Sequence, residues 1–157
     1  MDTKTYDQVK VTETPLVRKA PGPGKGRDDL FQRVYDAAHA AGLQAGKDAM
    51  PTPMVVSDAN LDGSPRAGGK RYFVSEGVCG FAWVVVRPGN HPFANWLKKN
   101  GLARKHYYGG VSTSVWEFNQ SYTRKMKYAG AFARVLNELL GTYYGDTLKI
   151  YSDGRLD

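Results

Sequence analysis

The stretch that decides the fold is Val78-Cys79-Gly80-Phe81-Ala82-Trp83-Val84-Val85-Val86-Arg87. It is rich in β-branched and aromatic residues, which suit a pleated, packed strand. It is apolar at odd and even positions alike, which predicts an interior strand covered on both sides. Just upstream, Lys70–Ser75 is separated from it by Glu76-Gly77, a short turn signal that predicts a hairpin between the two segments.

Downstream, Asn90-His91-Pro92 opens a helix whose stripe is Phe93, Trp96 and Leu97 and whose end is Asn100-Gly101. Arg104–Tyr108 and Val111–Phe118 read as strands around Gly109-Gly110. Asn119 or Ser121 caps a third helix. Its stripe is Tyr122, Met126, Ala129, Phe132 or Ala133, Leu136, and Leu139 or Leu140, and Gly141 ends it. Thr147–Tyr151 closes the order as a strand. From Val78 onward the pattern is β-α-β-β-α-β, the split-βαβ or ferredoxin-like order. The expected fold is α+β, a small antiparallel sheet with helices packed on it.

Upstream, a helix starts at Asp28-Asp29, where acidic residues suit an N-terminus. Ala38, Gly42 and Gly46 are four apart on it, which permits close approach of another element. Pro51 and Pro53 stop it, Met54-Val55-Val56 reads as a short strand, and a Gly-, Asp- and Arg-rich loop runs to Gly69. Residues 1–27 read as a flexible basic tail, with Lys4, Lys10, Arg18, Lys19, Lys25 and Arg27 against Asp2, Asp7 and Glu13. Such a segment buries too little apolar surface to offset its ordering entropy. Residues 28–157 form the compact domain.

The chain has 157 residues and a net charge of +7, a size that favours one domain and a charge that suits an anionic partner. No apolar run approaches a membrane span, and the opening MDTKTYDQVKVTETP lacks the regions of a signal peptide. A cytoplasmic protein without a membrane partner is expected. Cys79 is the single cysteine, so no internal disulfide is possible, and it is expected to be buried as a small hydrophobe.

Several motifs nearly form. Asp58-Ala59-Asn60-Leu61-Asp62-Gly63 opens like a calcium loop, but Gly69 stands where the bidentate Glu belongs, and Arg66, Lys70 and Arg71 crowd the site. An Asx-rich surface turn fits better. Gly24-Lys25 and Gly69-Lys70 lack the flanking Gly and Ser/Thr of a phosphate loop. His39, His91 and His106 are widely separated, and no zinc motif is present. No metal and no cofactor is expected. Ser112, Thr113 and Ser114 lack a nucleophile elbow. The weak catalytic candidates are His106 as a general base, Tyr108 beside it, and the carboxylates Asp153 and Asp157.

The stronger constellation mixes cations and rings. Lys98, Lys99, Arg104 and Lys105 lead into Tyr107 and Tyr108, and Arg124, Lys125 and Lys127 follow early on the third helix. Cations attract phosphates, and exposed rings stack on bases, so these nine residues are the candidate nucleic-acid-binding set.

Ala41–Gly46, Pro51–Val56, Gly77–Trp83, Tyr107–Gly110, the run Ala131–Glu138 and the terminal Gly154-Arg155-Leu156-Asp157 together resemble a family of small tailed-bacteriophage proteins. The resemblance covers roughly residues 30–157. It implies a phage protein in the bacterial cytoplasm or virion, and it brings no activity and no catalytic residues with it. Three functions follow as expectations. The first is a phage accessory protein that binds nucleic acid, a ribonucleoprotein or a host protein complex, for host takeover or counter-defence. The second is an enzyme acting on nucleotides or nucleic acid. The third is a virion component or protein–protein inhibitor using Trp96, Tyr143 and Tyr144.

Overall fold

The computed structural model describes residues 18–157. Of the tail expected over residues 1–27, residues 1–17 lie outside that range. The expected boundary at Asp28 falls inside a helix, because α1 runs Lys25–Asp48. Gly24, at φ 137°, makes the break that precedes it, and Asp28 lies in its first turn. Ahead of it the Arg18 amide donates to the Thr142 carbonyl at 2.8 Å.

Nine further elements follow. They are β1 (Met54–Ser57), β2 (Arg71–Val74), β3 (Gly80–Arg87), α2 (Pro92–Lys99), β4 (Arg104–Lys105), β5 (Val111–Ser114), α3 (Tyr122–Tyr144), a 3-10 turn (Gly145–Thr147) and β6 (Lys149–Leu156). The fold is α+β. One sheet is fully antiparallel in the order β4-β5-β3-β6, and a separate two-stranded ribbon pairs β1 with β2. Each crossover, β3-α2-β4 and β5-α3-β6, has a strand inserted between its two ends, which is the split-βαβ arrangement.

The expected hairpin between Lys70–Ser75 and Val78–Arg87 does not form. The turn exists, with the Gly77 amide on the Val74 carbonyl at 3.2 Å, but β2 folds back on β1 and β3 continues into the larger sheet. There β3 has a neighbour on each edge, so both rows of its backbone groups are paired.

The core lies on one face of that sheet. Ala82, Val84 and Val86 of β3, Val111 of β5 and Ile150 of β6 meet Phe132, Leu136 and Leu140 of α3. α2 adds Phe93, Trp96 and Leu97. The expected two-sided covering of β3 holds only over Val84–Val86. Phe81 and Trp83 alternate onto the opposite face, where Phe81 is exposed and Trp83 half-buried. Val85 shares that face and is fully buried.

α1 packs along α3, and the small residues make this possible. Ala38 is fully buried, and a Cβ at Gly42 would fall 2.7 Å from a ring carbon of Tyr128. Gly46 lies against the Phe118 ring, which the left-handed backbone of Phe118 and Asn119 aims at α1. Ser121 caps α3, its hydroxyl accepting from the Arg124 amide at 3.3 Å. The helix does not stop at Gly141. It continues to Tyr144 because Tyr143 and Tyr144 pack on the core, and Gly145 then provides the left-handed exit.

Candidate nucleic-acid interface

Antiparallel partners share a face, so the register fixes what the helix-free side of the sheet presents. One row is Arg104, Ser112, Val85 and Tyr151 across all four strands. The next is Ser114, Trp83 and Asp153, and beyond it Phe81 faces Arg155. At the other end Arg87 faces Lys149. Four cations therefore surround three rings, with one carboxylate, Asp153, whose Oδ1 accepts from the Gly154 amide at 2.8 Å.

The cations are held against the rings. The Arg155 guanidinium lies 5.4 Å from the centre of the Phe81 ring, and that of Arg87 lies 5.6 Å from Tyr151. Both distances are within cation–π range. Arg87 also donates to the Tyr108 carbonyl at 2.7 Å and to the Gly109 carbonyl at 3.3 Å. It thereby fixes the tight loop His106–Gly110, which is closed by the His106 amide on Gly110 at 2.9 Å.

That loop replaces the end of the expected strand Arg104–Tyr108. The ladder stops at Lys105 because Gly109 and Gly110, both at positive φ, turn the chain back within two residues of Tyr108. Tyr107 and Tyr108 consequently stand at the loop tip, 89% and 77% exposed, with rings edge to face at 4.8 Å. Likewise β5 ends at Ser114, short of Phe118, and leaves Trp116 81% exposed at the far edge of the sheet. Between these rings runs a groove of about 360 Å³ lined by Arg104, His106, Tyr107, Ser112, Ser114 and Trp116. The Trp83 indole N–H is buried on this face without a hydrogen-bond partner among the described residues.

The expected binding residues divide. Arg104, Tyr107 and Tyr108 border this face; Lys105 lies opposite Val111, on the other pleat face of the edge strand, and also lines the groove. Lys98 and Lys99 are exposed in the last turn of α2. The α3 cations are committed elsewhere. Lys125 is buried, its ammonium donating to the Val115 carbonyl at 3.1 Å. Arg124 pairs with Glu76 at 2.6 Å and donates to the Gly46 and Lys47 carbonyls, closing the end of α1. Lys127 is exposed on α3, away from the sheet face.

Of the catalytic candidates, the His106 ring lies 6.1 Å from Tyr108 and 6.4 Å from Trp83, and Asp153 sits opposite Trp83. Asp157 does not join them. Its amide bonds the Cys79 carbonyl at the start of β3, about 20 Å along the strand from the His106 loop. Cys79 itself is half-buried rather than buried. Trp96 is buried, and Tyr143 and Tyr144 are half-buried against the core. In the Asp58–Gly69 loop, Asp62 accepts from the Ser64 amide and hydroxyl, which lowers its pKa, and Asp58 accepts from the Lys70 amide. Among the described residues no group of three His, Cys, Asp or Glu side chains could hold a metal, and no helix is long and apolar enough to cross a membrane.

A second polar cluster had no signal in the sequence. The Tyr128 hydroxyl on α3 and His39 Nδ1 on α1 are 2.5 Å apart, and Glu117 Oε1 is 4.0 Å from the same nitrogen. Burial, then the Glu117 charge, raises the pKa of both Tyr128 and Tyr35. Both phenols therefore stay protonated at neutral pH.

Compared with protein families, with curated proteins and with solved structures, the chain finds no match.

Proposed function

We propose that this chain binds single-stranded nucleic acid across the helix-free face of its four-stranded sheet. One observation carries the reading. Phe81, Trp83 and Tyr151 share that face with Arg87, Arg104, Lys149 and Arg155, and the exposed rings of Tyr107, Tyr108 and Trp116 border it. Rings on a flat sheet can stack only on bases that are free of a duplex, while the flanking cations neutralise the backbone. With the phage resemblance, the role is that of an accessory protein in host takeover or counter-defence, occupying single-stranded DNA or RNA or a complex that exposes it.

The test is anisotropy of short labelled single- and double-stranded oligonucleotides over a range of salt. Single strands should bind more tightly, and log affinity should fall with log salt. Arg155→Gln should flatten that slope by about 0.7, the value for one phosphate contact on a single strand. Absence of binding at low salt, or a slope that Arg155→Gln leaves unchanged, defeats the reading.

A further inference from the structure

Tyr35, Tyr128 and Glu117, from the cluster around His39, border a cavity of about 170 Å³. Its floor is Val84 and Phe132, and Thr113, Ser114 and Trp116 complete its wall. The cavity adjoins the groove on the open sheet face, because Gly101, Leu102, Ser114 and Trp116 line both. It is smaller than the ~300 Å³ at which pockets for drug-sized ligands begin. An aromatic ring that is 81% exposed stands where the two spaces meet.

The polar groups on its wall are unevenly used. Glu117 Oε2 accepts from the Trp116 amide at 3.1 Å, while Oε1 lies 4.0 Å from His39 Nδ1 and takes no hydrogen bond among the described residues. The carboxylate, which lines the cavity, thus keeps accepting capacity on Oε1. Tyr35, Tyr128, Thr113 and Ser114 line the same cavity. A ligand that fits must be planar and small, must offer donors to a carboxylate, and must offer an acceptor to hydroxyls.

We infer that this cavity is a pocket for a guanine base, with Glu117 accepting from N1–H and the N2 amino group and a tyrosine or serine hydroxyl donating to O6. The inference rests for its ligand class on the nucleic-acid reading of the adjoining face. Guanine alone among the common bases presents two adjacent donors on its pairing edge. Adenine and cytosine turn a ring-nitrogen acceptor toward the carboxylate, and uracil flanks its single donor with two carbonyls. Single-stranded bases are commonly read on this edge once they leave the stack. Trp116 at the mouth supplies a face on which the entering base or its neighbour stacks.

The experiment titrates the full chain with GMP, AMP, CMP and UMP by tryptophan fluorescence, alongside uridine oligonucleotides with and without one guanosine. GMP should bind about ten- to a hundredfold more tightly than the other three, the discrimination of one bidentate contact. One guanosine should strengthen oligonucleotide binding by a similar factor. Glu117→Gln should erase both preferences and leave the all-uridine affinity unchanged. Tyr35→Phe, which removes a hydroxyl and no volume, should weaken them less. Equal affinity for the four nucleotides overturns the pocket, and so does a guanine preference that survives Glu117→Gln. Failure of every oligonucleotide to bind, with GMP still preferred, instead overturns the sheet-face reading and leaves the pocket standing. If Glu117→Gln does not fold, the four-nucleotide comparison on the unaltered chain decides by itself.

Discussion

The two β structures of this protein both expose aromatic rings, and they differ in everything that surrounds those rings. The β1–β2 ribbon presents Val55, Val56, Tyr72 and Phe73, all exposed. Its charges balance, with Arg66, Lys70 and Arg71 against Asp58, Asp62 and Glu76. The larger sheet presents Phe81, Trp83 and Tyr151 among four cations and one carboxylate. It is also backed by α3, whereas an isolated two-stranded hairpin is marginal in water. The difference separates two requirements. Burying one face of a sheet stabilises it, and that frees the other face to carry groups chosen for a ligand. The ribbon has no buried face and no excess charge, so its rings are not accompanied by anything that attracts a phosphate.

The hardest way to break this contrast is to remove each part. Phe132→Ala, in the α3 layer under the sheet, should cost about 3–5 kcal/mol of stability, the usual loss for truncating a fully buried Phe. Replacing residues 54–74 with a short Gly/Ser linker should change stability by only about 1 kcal/mol, because it removes exposed surface and alters one loop length. Urea unfolding of both variants measures this. A ribbon deletion as damaging as Phe132→Ala would show that the ribbon is part of the core, and the contrast would collapse.

A smaller effect sharpens the functional side. Tyr107→Ala and Tyr108→Ala should each weaken single-strand binding by about 1–3 kcal/mol if each ring stacks on one base. Phe73→Ala, an equally bare ring on the ribbon, should leave binding unchanged. Equal losses at Tyr107, Tyr108 and Phe73 would mean that exposed rings bind without regard to the charge around them.

Much of the fold was legible because its signals are local. The period of α3, the Ser121 cap, the proline at the start of α2 and the strand character of Val78–Arg87 are each written in a few neighbouring residues. Strand partners are not local, and so β2 was matched to the wrong neighbour. The binding surface suffered from the same limit. Tyr151 and Arg155 join Val85 and Phe81 only through a pairing some seventy residues apart in the chain. The order of His39, Glu117 and Tyr128 along the chain gives no motif, since α1 and α3 bring them together. Lys125 could have been read differently. Ser121, Lys125, Ala129, Phe132 and Leu136 recur at helical spacing, so the lysine stands on the buried stripe. Its long stem reaches Val115, where the ammonium finds a carbonyl.

The smallest effect concerns acid, and it too should separate the two β structures. His91 precedes α2, is buried, and accepts from the Phe93 amide through Nδ1 at 3.1 Å. Burial first, and then the nearby Arg27 charge, lower its pKa below the ordinary 6.5. A depressed pKa means that the unfolded chain takes up the proton more readily than the folded one. His91 therefore contributes stability that is fully present above about pH 6.5 and is lost as pH falls through the lower folded value. Protonation also removes the acceptor that caps α2. His91→Asn retains a cap acceptor without the titration, so its stability between pH 6.5 and 5 should decline less than that of the unaltered chain. The ribbon contains no histidine, and the lowered pKa of Asp62 lies below this window, so deleting residues 54–74 should leave the decline between pH 6.5 and 5 as it was. Identical pH profiles for the unaltered chain and His91→Asn would remove His91 from the account.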